Sequence, residues 1–347
     1  MKNNAKKTKK LLPLAVLLAA AALLGILLAV LTRSSTDAAD TTIPLCGFTA
    51  EEIDRLAYSG NNMDVTLLKG STGDWMLDSD PALPLDQAKV TSLVEQYAAL
   101  AALRKLEGSD LAELPEKSAA PQMTITIDAG EKTLALTVDQ LNAVADVYYV
   151  YDESGAAYTV MRSDLATLSK SPRDLYKAQT LTDKTLSDVA AMQVNDLQFT
   201  QTDGSWTLTD DPDYPVSQSS IKKMAGTILQ MQTVWTVTAP EADTVYGLDS
   251  PDVTAVLTFT DGTSLTVRFG NAVAAAADGS DGDSLCYLAS DAAPTVVYEV
   301  NADSKLAYAV TKESLYEETA TAETAASDPV AQYPVGGEDD YADSLPE

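Results

Sequence analysis

The chain has 347 residues, with 23 Lys and Arg against 51 Asp and Glu, a formal charge of −28, no histidine, two cysteines and 46% hydrophobic residues. Without histidine there is no Ser-His-Asp or Cys-His catalysis and no imidazole metal site, and two cysteines cannot build a four-thiolate zinc or iron-sulfur centre. The acidity argues against nucleic acid as a partner, because a phosphate backbone is held by basic stripes that this chain lacks.

The charge is unevenly spread. Residues 1–33 hold no acid, five lysines (Lys2, Lys6, Lys7, Lys9, Lys10) and Arg33, which leaves the rest with 17 basic and 51 acidic side chains, a balance of −34. Residues 11–31 form an uncharged run of 21. As a helix rising about 1.5 Å per residue, such a run spans the roughly 30 Å hydrocarbon core of a bilayer. The pattern predicts a transmembrane helix over 11–31, with the basic N-terminus 1–10 in the cytoplasm and everything from about Ser34 outside. A cleaved signal peptide is the competing reading, but its apolar stretch is about 7–15 residues long and ends in small residues. Here the run is longer, and Thr32-Arg33-Ser34 is a poor cleavage site. Cys46 lies fifteen residues past the apolar run, too far for a lipoprotein anchor. Residues 32–44, rich in Thr, Ser, Ala and Asp, read as a spacer.

Beyond the spacer the dominant feature is an internal repeat. Residues 75–85, with Trp75, Asp80-Pro81 and Pro84, recur 131 positions later as 206–216, with Trp206, Asp211-Pro212 and Pro215. The register holds onward: Asp86 matches Ser217, while Val90, Leu93, Tyr97 and Leu100 match Ile221, Met224, Ile228 and Met231. Steps of three or four define one face of an amphipathic helix, and Asp86 or Ser217 stands at its N-cap. Each copy therefore reads as a strand, a Pro-rich turn and a helix. Alternating residues 123–127 and 134–138 around Gly130, and 255–259 and 265–269 around Asp261-Gly262, predict a β-hairpin after each helix. The copies also end alike: Tyr149, Asp152, Tyr158 and Val160 match Tyr287, Asp291, Tyr298 and Val300, and Leu175-Tyr176 matches Leu315-Tyr316. The offset has by then grown to about 140, which places an insertion within 272–284.

The predicted fold class is α+β: one N-terminal transmembrane helix followed by two tandem repeated modules, 45–180 and 181–317, each a mostly antiparallel sheet with a packed helix. From Glu317 on there are nine acids and no base, so 318–347 is expected to be a disordered acidic tail. It holds no second apolar run, so the membrane is crossed once. Cys46 and Cys286, 240 residues apart, are expected to stay unpaired as small apolar residues.

Candidate chemistry is thin, and no catalytic, cofactor-binding or metal residue is assigned. Asp278, Asp281 and Asp283 invite a calcium reading, but an EF-hand-like loop needs acids at positions 1, 3 and 5 and a glutamate at 12. Positions 3 and 12 here are Ser280 and Ala289, so a solvated loop is expected. Asp78, Asp80, Asp210 and Asp211 imitate the paired carboxylates of a glycosidase, yet each pair sits in a repeated Asp-Pro turn. There a carboxylate bonding nearby backbone N–H groups explains the residue type. Trp75 and Trp206 occupy equivalent strands and are expected in the core. Trp235, present in one copy, is the expected exposed aromatic. Neither a Ser-x-x-Lys nucleophile motif nor a glycine-rich phosphate loop is present.

The Lys-rich start and single span, the Trp-x-Leu strand entering a Pro-containing turn and helix, and Tyr246-Gly247-Leu248-Asp249-Ser250-Pro251 before a strand, an Asp-Gly turn and a strand make a recognisable set. Together they resemble the bacterial membrane-anchored proteins grouped as domain of unknown function 4340, over about residues 48–317. The first copy departs around 114–121, where the Tyr-Gly-Leu-Asp-x-Pro signature is absent. The resemblance implies an accessory protein of gliding-motility-type ABC transporters and supplies no catalytic residues. The expected function is a non-enzymatic, single-pass cell-membrane protein with an extracytoplasmic C-terminal region, an auxiliary subunit of an ABC-type transport or envelope complex. The alternatives are a receptor for an envelope polymer or small ligand, and a carboxylate-dependent hydrolase.

Overall fold

The computed structural model describes residues 42–60, 63–274 and 285–317. The 11–31 span, the basic N-terminus, most of the 32–44 spacer, the aspartates at 278, 281 and 283 and the 318–347 tail lie outside the described residues. Among the described residues no helix is long and apolar enough to cross a membrane.

Among the described residues eighteen strands run in chain order. The first ten are β1 (Ile43–Pro44), β2 (Arg55–Gly60), β3 (Met63–Lys69), β4 (Trp75–Leu77), β5 (Ala101–Ala102), β6 (Arg104–Leu106), β7 (Met123–Ala129), β8 (Lys132–Asn142), β9 (Val147–Asp152) and β10 (Ala157–Met161). The remaining eight are β11 (Val189–Val194), β12 (Leu197–Thr202), β13 (Ser205–Leu208), β14 (Trp235–Val237), β15 (Val253–Phe259), β16 (Ser264–Ala272), β17 (Leu285–Ser290) and β18 (Val297–Asn301). They form two eight-stranded sheets, ordered β4-β3-β2-β7-β8-β9-β10-β6 and β13-β12-β11-β15-β16-β17-β18-β14, and the small pair β1-β5. The two orders follow the same path, and every described pairing within them is antiparallel. Even the irregularities recur: β8 shifts register between Val138 and Leu141, and β16 shifts between Phe269 and Ala272, 131 residues later.

The hairpins β7–β8 and β15–β16 fall where period-2 alternation places them. Val253, Ala255, Leu257 and Phe259 point into the core while the residues between them are half-buried. The strand–turn–helix units also form as expected. Helix Gln87–Ala98 starts at Asp86, whose Oδ1 accepts the N–H groups of Ala88 at 3.1 Å and Lys89 at 3.3 Å. Helix Gln218–Leu229 starts at Ser217, whose Oγ accepts the Ser220 N–H at 3.4 Å. All eight residues of the expected apolar faces are buried. Each helix lies on one face of its sheet and closes a separate core. Cys46, unpaired, is buried in the first core and Cys286, also unpaired, in the second. Burial pushes both thiols up, which keeps them protonated and poorly reactive.

Three buried tyrosines tie later segments under the sheets. Tyr58 donates to the Lys170 carbonyl at 2.6 Å, Tyr97 to that of Leu168 at 3.1 Å and Tyr308 to that of Met224 at 2.9 Å. Burial raises all three hydroxyls above their ordinary value, with nearby Asp174 adding to Tyr58 and Tyr58 adding to Tyr97. A folded-state pKa above the unfolded value of about 10 gives stability that is complete below that pH and is lost above it, as only the unfolded chain ionises. Spectrophotometric titration is therefore expected to show these three phenols ionising only together with unfolding in alkali, and Tyr58→Phe to make stability fall less steeply above about pH 10. The caps give a second expectation: Asp86→Ala and Ser217→Ala each lower stability by about 1 kcal/mol, read as a shift in the urea midpoint.

Candidate functional site

An antiparallel sheet leaves a row of unpaired N–H and C=O groups along each outer strand, and this protein closes those edges in two ways. On one side a helical glutamine acts as a short extra strand. Gln87 Oε1 accepts the Trp75 N–H at 2.7 Å and its Nε2 donates to the Trp75 carbonyl at 2.9 Å. Gln218 does the same to Trp206, at 2.8 Å in both directions. The sequence reading missed these glutamines, although Gln87 and Gln218 match at the 131-residue offset and follow the N-cap. Trp75 and Trp206 are buried as expected, their rings in the core and their backbones in these clamps.

The other edge is closed by the chain entering from before. Beside the first sheet, β1 pairs with β5, the short strand just ahead of the edge strand β6, with Ile43 opposite Ala102 and Pro44 opposite Ala101. In the second, Thr180 bridges Gln232, the Thr233 N–H donates to the Gln179 carbonyl at 3.0 Å, and the Gln179 N–H donates to Thr233 Oγ1 at 2.7 Å. This second closure joins the two sheets, because residues 172–180 leave the first core and run directly onto the edge strand β14 and its neighbour β18.

The joint carries a compact set of side chains. The Tyr176 hydroxyl lies 2.7 Å from both Thr233 Oγ1 and Thr236 Oγ1, all three residues being buried. Its ring stands 5.4 Å from that of Trp235, whose other flank is covered by the Arg173 guanidinium at 4.8 Å. Arg173 Nη2 donates to Glu299 Oε1 at 3.1 Å and lies 2.9 Å from Oε2. Thr238 donates to Asp80 Oδ2 at 2.7 Å across the same boundary. The Glu299 side chain is 6% exposed against 50% for Arg173, so a nearly buried carboxylate depends on one half-solvated cation. Burial first, and the Glu299 carboxylate next, push the Tyr287 hydroxyl up.

The geometry corrects the expectation for Trp235. It is half-buried and packs against the first core, because the entering segment lies over β14 and takes the ring out of solvent. It also corrects the expectation that the turn aspartates bond nearby backbone N–H groups. Asp80 takes the Thr238 hydroxyl, and its counterpart Asp211 takes Lys312 Nζ at 2.8 Å. Asp78 and Asp210 are exposed, and the two Asp pairs serve separate sheets. Among the described residues no cluster of three or more acidic or thiol ligands is placed to hold a metal ion.

On the opposite face of each sheet a loop covers a small second core, and here the copies differ. In the first, the Asp139 side chain at the β8 bulge accepts the Ser118 N–H at 3.1 Å. In the second, the matching residue is Gly270, where an added Cβ would stand 2.1 Å from the Tyr246 carbonyl oxygen, so the loop backbone closes straight onto the strand. Gly247 makes that turn at φ 68°, and Arg268 holds it through the Leu248 carbonyl at 2.5 Å and Asp243 at 3.0 Å. The Tyr-Gly-Leu signature belongs to one copy for this reason: it requires a bulge without a side chain.

Two antiparallel sheets of one topology, clamped edge to exit segment, define a tandem sheet protein whose conspicuous polar cluster is a joint. Residues 26–205, a little over half of the chain, match the family described as domain of unknown function (DUF4340), and the protein belongs to that family. The match takes in the whole first sheet and the start of the second, and it ends before the Tyr246–Pro251 signature. No curated protein and no solved structure matches significantly.

Arg173→Ala is expected to lower stability by about 2–3 kcal/mol, below the roughly 3–5 kcal/mol of breaking a fully buried pair because half of the guanidinium is in water. Glu299→Gln removes the charge that needs the partner and is expected to cost about 1 kcal/mol or less. Urea unfolding of the two variants checks this; equal losses would place the stabilisation in packing instead of charge.

Proposed function

We propose that the chain is a single-pass cell-membrane protein with a cytoplasmic N-terminus, whose extracytoplasmic region arose by duplication of one sheet-and-helix module. It serves as a non-enzymatic auxiliary subunit of an ABC-type transport or envelope complex. The observation that carries this reading is the charge and hydropathy pattern: an uncharged run at 11–31 between five lysines and a remainder of −34. A cation-flanked run of that length favours a span with its lysines inside. The joint supports a part that holds other proteins, since edge closures that fix two sheets against each other present a preorganised surface at little ordering cost.

The receptor alternative leaned on Trp235 as a free aromatic, and the joint now uses that ring. The hydrolase alternative leaned on the turn aspartates, and the contacts of Asp80 with Thr238 and of Asp211 with Lys312 account for two of them structurally. The auxiliary role is therefore the reading retained.

Two measurements test it. With an epitope tag ahead of Met1, the tag is expected to stay on the full-length protein in the membrane fraction; its loss from the mature protein overturns the anchor. Affinity purification from mild detergent with mass spectrometry is expected to return transporter subunits, and recovery of the protein alone overturns the auxiliary role.

A further inference from the structure

The two modules differ at one end of the core, and there the first keeps a cavity. A space of about 290 Å³ opens between the starts of β7 and β9, the part of β8 ahead of its bulge and the short helix Arg162–Ala166. Its walls are Met123, Val138 and Leu165, all buried in the first core. Its rim carries Gln122, Tyr148, Arg162 and Ser169. The second module has a counterpart for each, fixed by the same backbone contacts. The Gln122 N–H donates to the Val138 carbonyl at 2.9 Å, as that of Asp252 does to Phe269 at 3.1 Å. The Leu168 N–H donates to the Leu165 carbonyl at 3.1 Å, as that of Tyr308 does to Lys305 at 3.0 Å. Tyr148 lies opposite Leu141, as Cys286 lies opposite Ala272. In the second module the place is closed. Phe269 puts a ring where the first module has Val138 and packs 5.4 Å from Tyr308. The Lys305 ammonium spans the end from the Asp252 carboxylate to the Gly270 carbonyl. With Leu165 for Lys305 and Gln122 for Asp252 the first module has no such closure, and its own aromatic pair, Tyr58 and Tyr97, stands on β2 and the capped helix instead.

We propose that this cavity binds a small aliphatic monocarboxylate, with its chain against Met123, Val138 and Leu165 and its carboxylate on Arg162. The polar rim belongs to the first module: where it has Arg162, Tyr148 and Ser169, the second has Ala302, Cys286 and Ala309. Each of the four rim side chains can donate a hydrogen bond, which calls for an acceptor. Among the described residues none of the four hydrogen-bonds to an oxygen or nitrogen, and the Ser169 hydroxyl meets only Met123 Sδ, at 3.9 Å. Arg162 Nη1 stands 3.8 Å from Asp146 Oδ1, both side chains more than half exposed, a contact of the weak kind. The guanidinium fork is thereby left for a bidentate carboxylate. With Asp146 so close, the rim offers no more than one positive charge, which suits a monoanion better than a phosphate dianion. The acidity of the remaining chain acts against an anion only within the screening length of roughly 8 Å at physiological salt, so the nearest groups decide. The Asp146 carbonyl accepts the Arg162 N–H at 3.1 Å, which holds the β8–β9 hairpin and the short helix together before a ligand arrives. Apolar walls with a few polar groups at one end, around a space of this volume, are the features of a small ligand site. The stretch that enters the second module, 172–180, bonds there along the β14 edge and to Glu299, and to none of the residues that match this lining. The cavity is a feature of the first module and stands or falls separately from the transport reading.

The test uses the full-length protein in mild detergent and a pentanoic acid that carries a photoreactive diazirine on its chain. Irradiation followed by peptide mass spectrometry is expected to place the label on the segments that line the cavity, around Met123, Val138 and residues 162–169. Excess hexanoate is expected to compete the label away, and hexanol at the same concentration to leave most of it. Arg162→Glu, at an exposed position, is expected to raise the probe concentration needed for half-maximal labelling about tenfold or more. Val138→Phe, which installs the ring of the second module, is expected to abolish labelling. Ala166→Trp, at an exposed position of the lining, is expected to block it equally without altering the core, and retained protease resistance confirms that each variant folds. Label scattered over the surface, hexanol competing as well as hexanoate, or labelling that Arg162→Glu and Ala166→Trp leave unchanged overturns the proposal.

Discussion

Every eight-stranded antiparallel sheet must satisfy the hydrogen-bonding groups of its two outer strands, and most of the architecture of this protein follows from how that requirement is met. On one side a glutamine amide, held by the first turn of a capped helix, pairs with both backbone groups of a buried tryptophan. This single contact fixes the helix on the sheet, ends the sheet, and leaves no accepting edge for a foreign strand. On the other side the chain closes the edge as it arrives. Because the second sheet is entered directly from the first, its closure is also the connection between them, and the two sheets are joined by the same rule that finishes each one.

The two copies explain each other. Where they agree in character, as at Trp75 and Trp206 or along the apolar faces of the helices, the residue is in a core and the reason is packing. Where they diverge at equivalent places, the surroundings differ. Trp235 and Glu299 stand in one copy where the other has Arg104 and Thr159, and it is on the first of these pairs that Arg173 and Tyr176 lie. Gly270 against Asp139 marks two ways of seating a loop, one by bare backbone and one through a carboxylate. Glu299 is acceptable at 6% exposure only because Arg173 arrives from the other sheet, a residue whose own counterpart, Glu313, carries the opposite charge.

Much of this was legible in advance. Local rules name the helices through their caps and three-four spacing and the central hairpins through alternation. The same rules miss β2, β3, β11 and β12, because Arg55–Gly60 and Val189–Val194 mix Ala, Ser, Gly and Gln into the pattern and their strand character comes from neighbours on both sides. They also place Trp235 in solvent. A tryptophan on a three-residue edge strand has no local signal of cover, and what covers it, Arg173 and Tyr176, is about 60 residues earlier in the chain.

The sequence alone determined the repeat, the elements with strong periodicity, the family resemblance and the segregation of charge into a basic start and an acidic remainder, since each is a property of neighbouring residues or of counting. Only the tertiary structure decided which edge is closed by what, and that Trp235, Glu299 and Arg173 form one cluster. Those are contacts between strands far apart in the chain, and no spacing rule reaches across a sheet to predict which surfaces its second copy will bury.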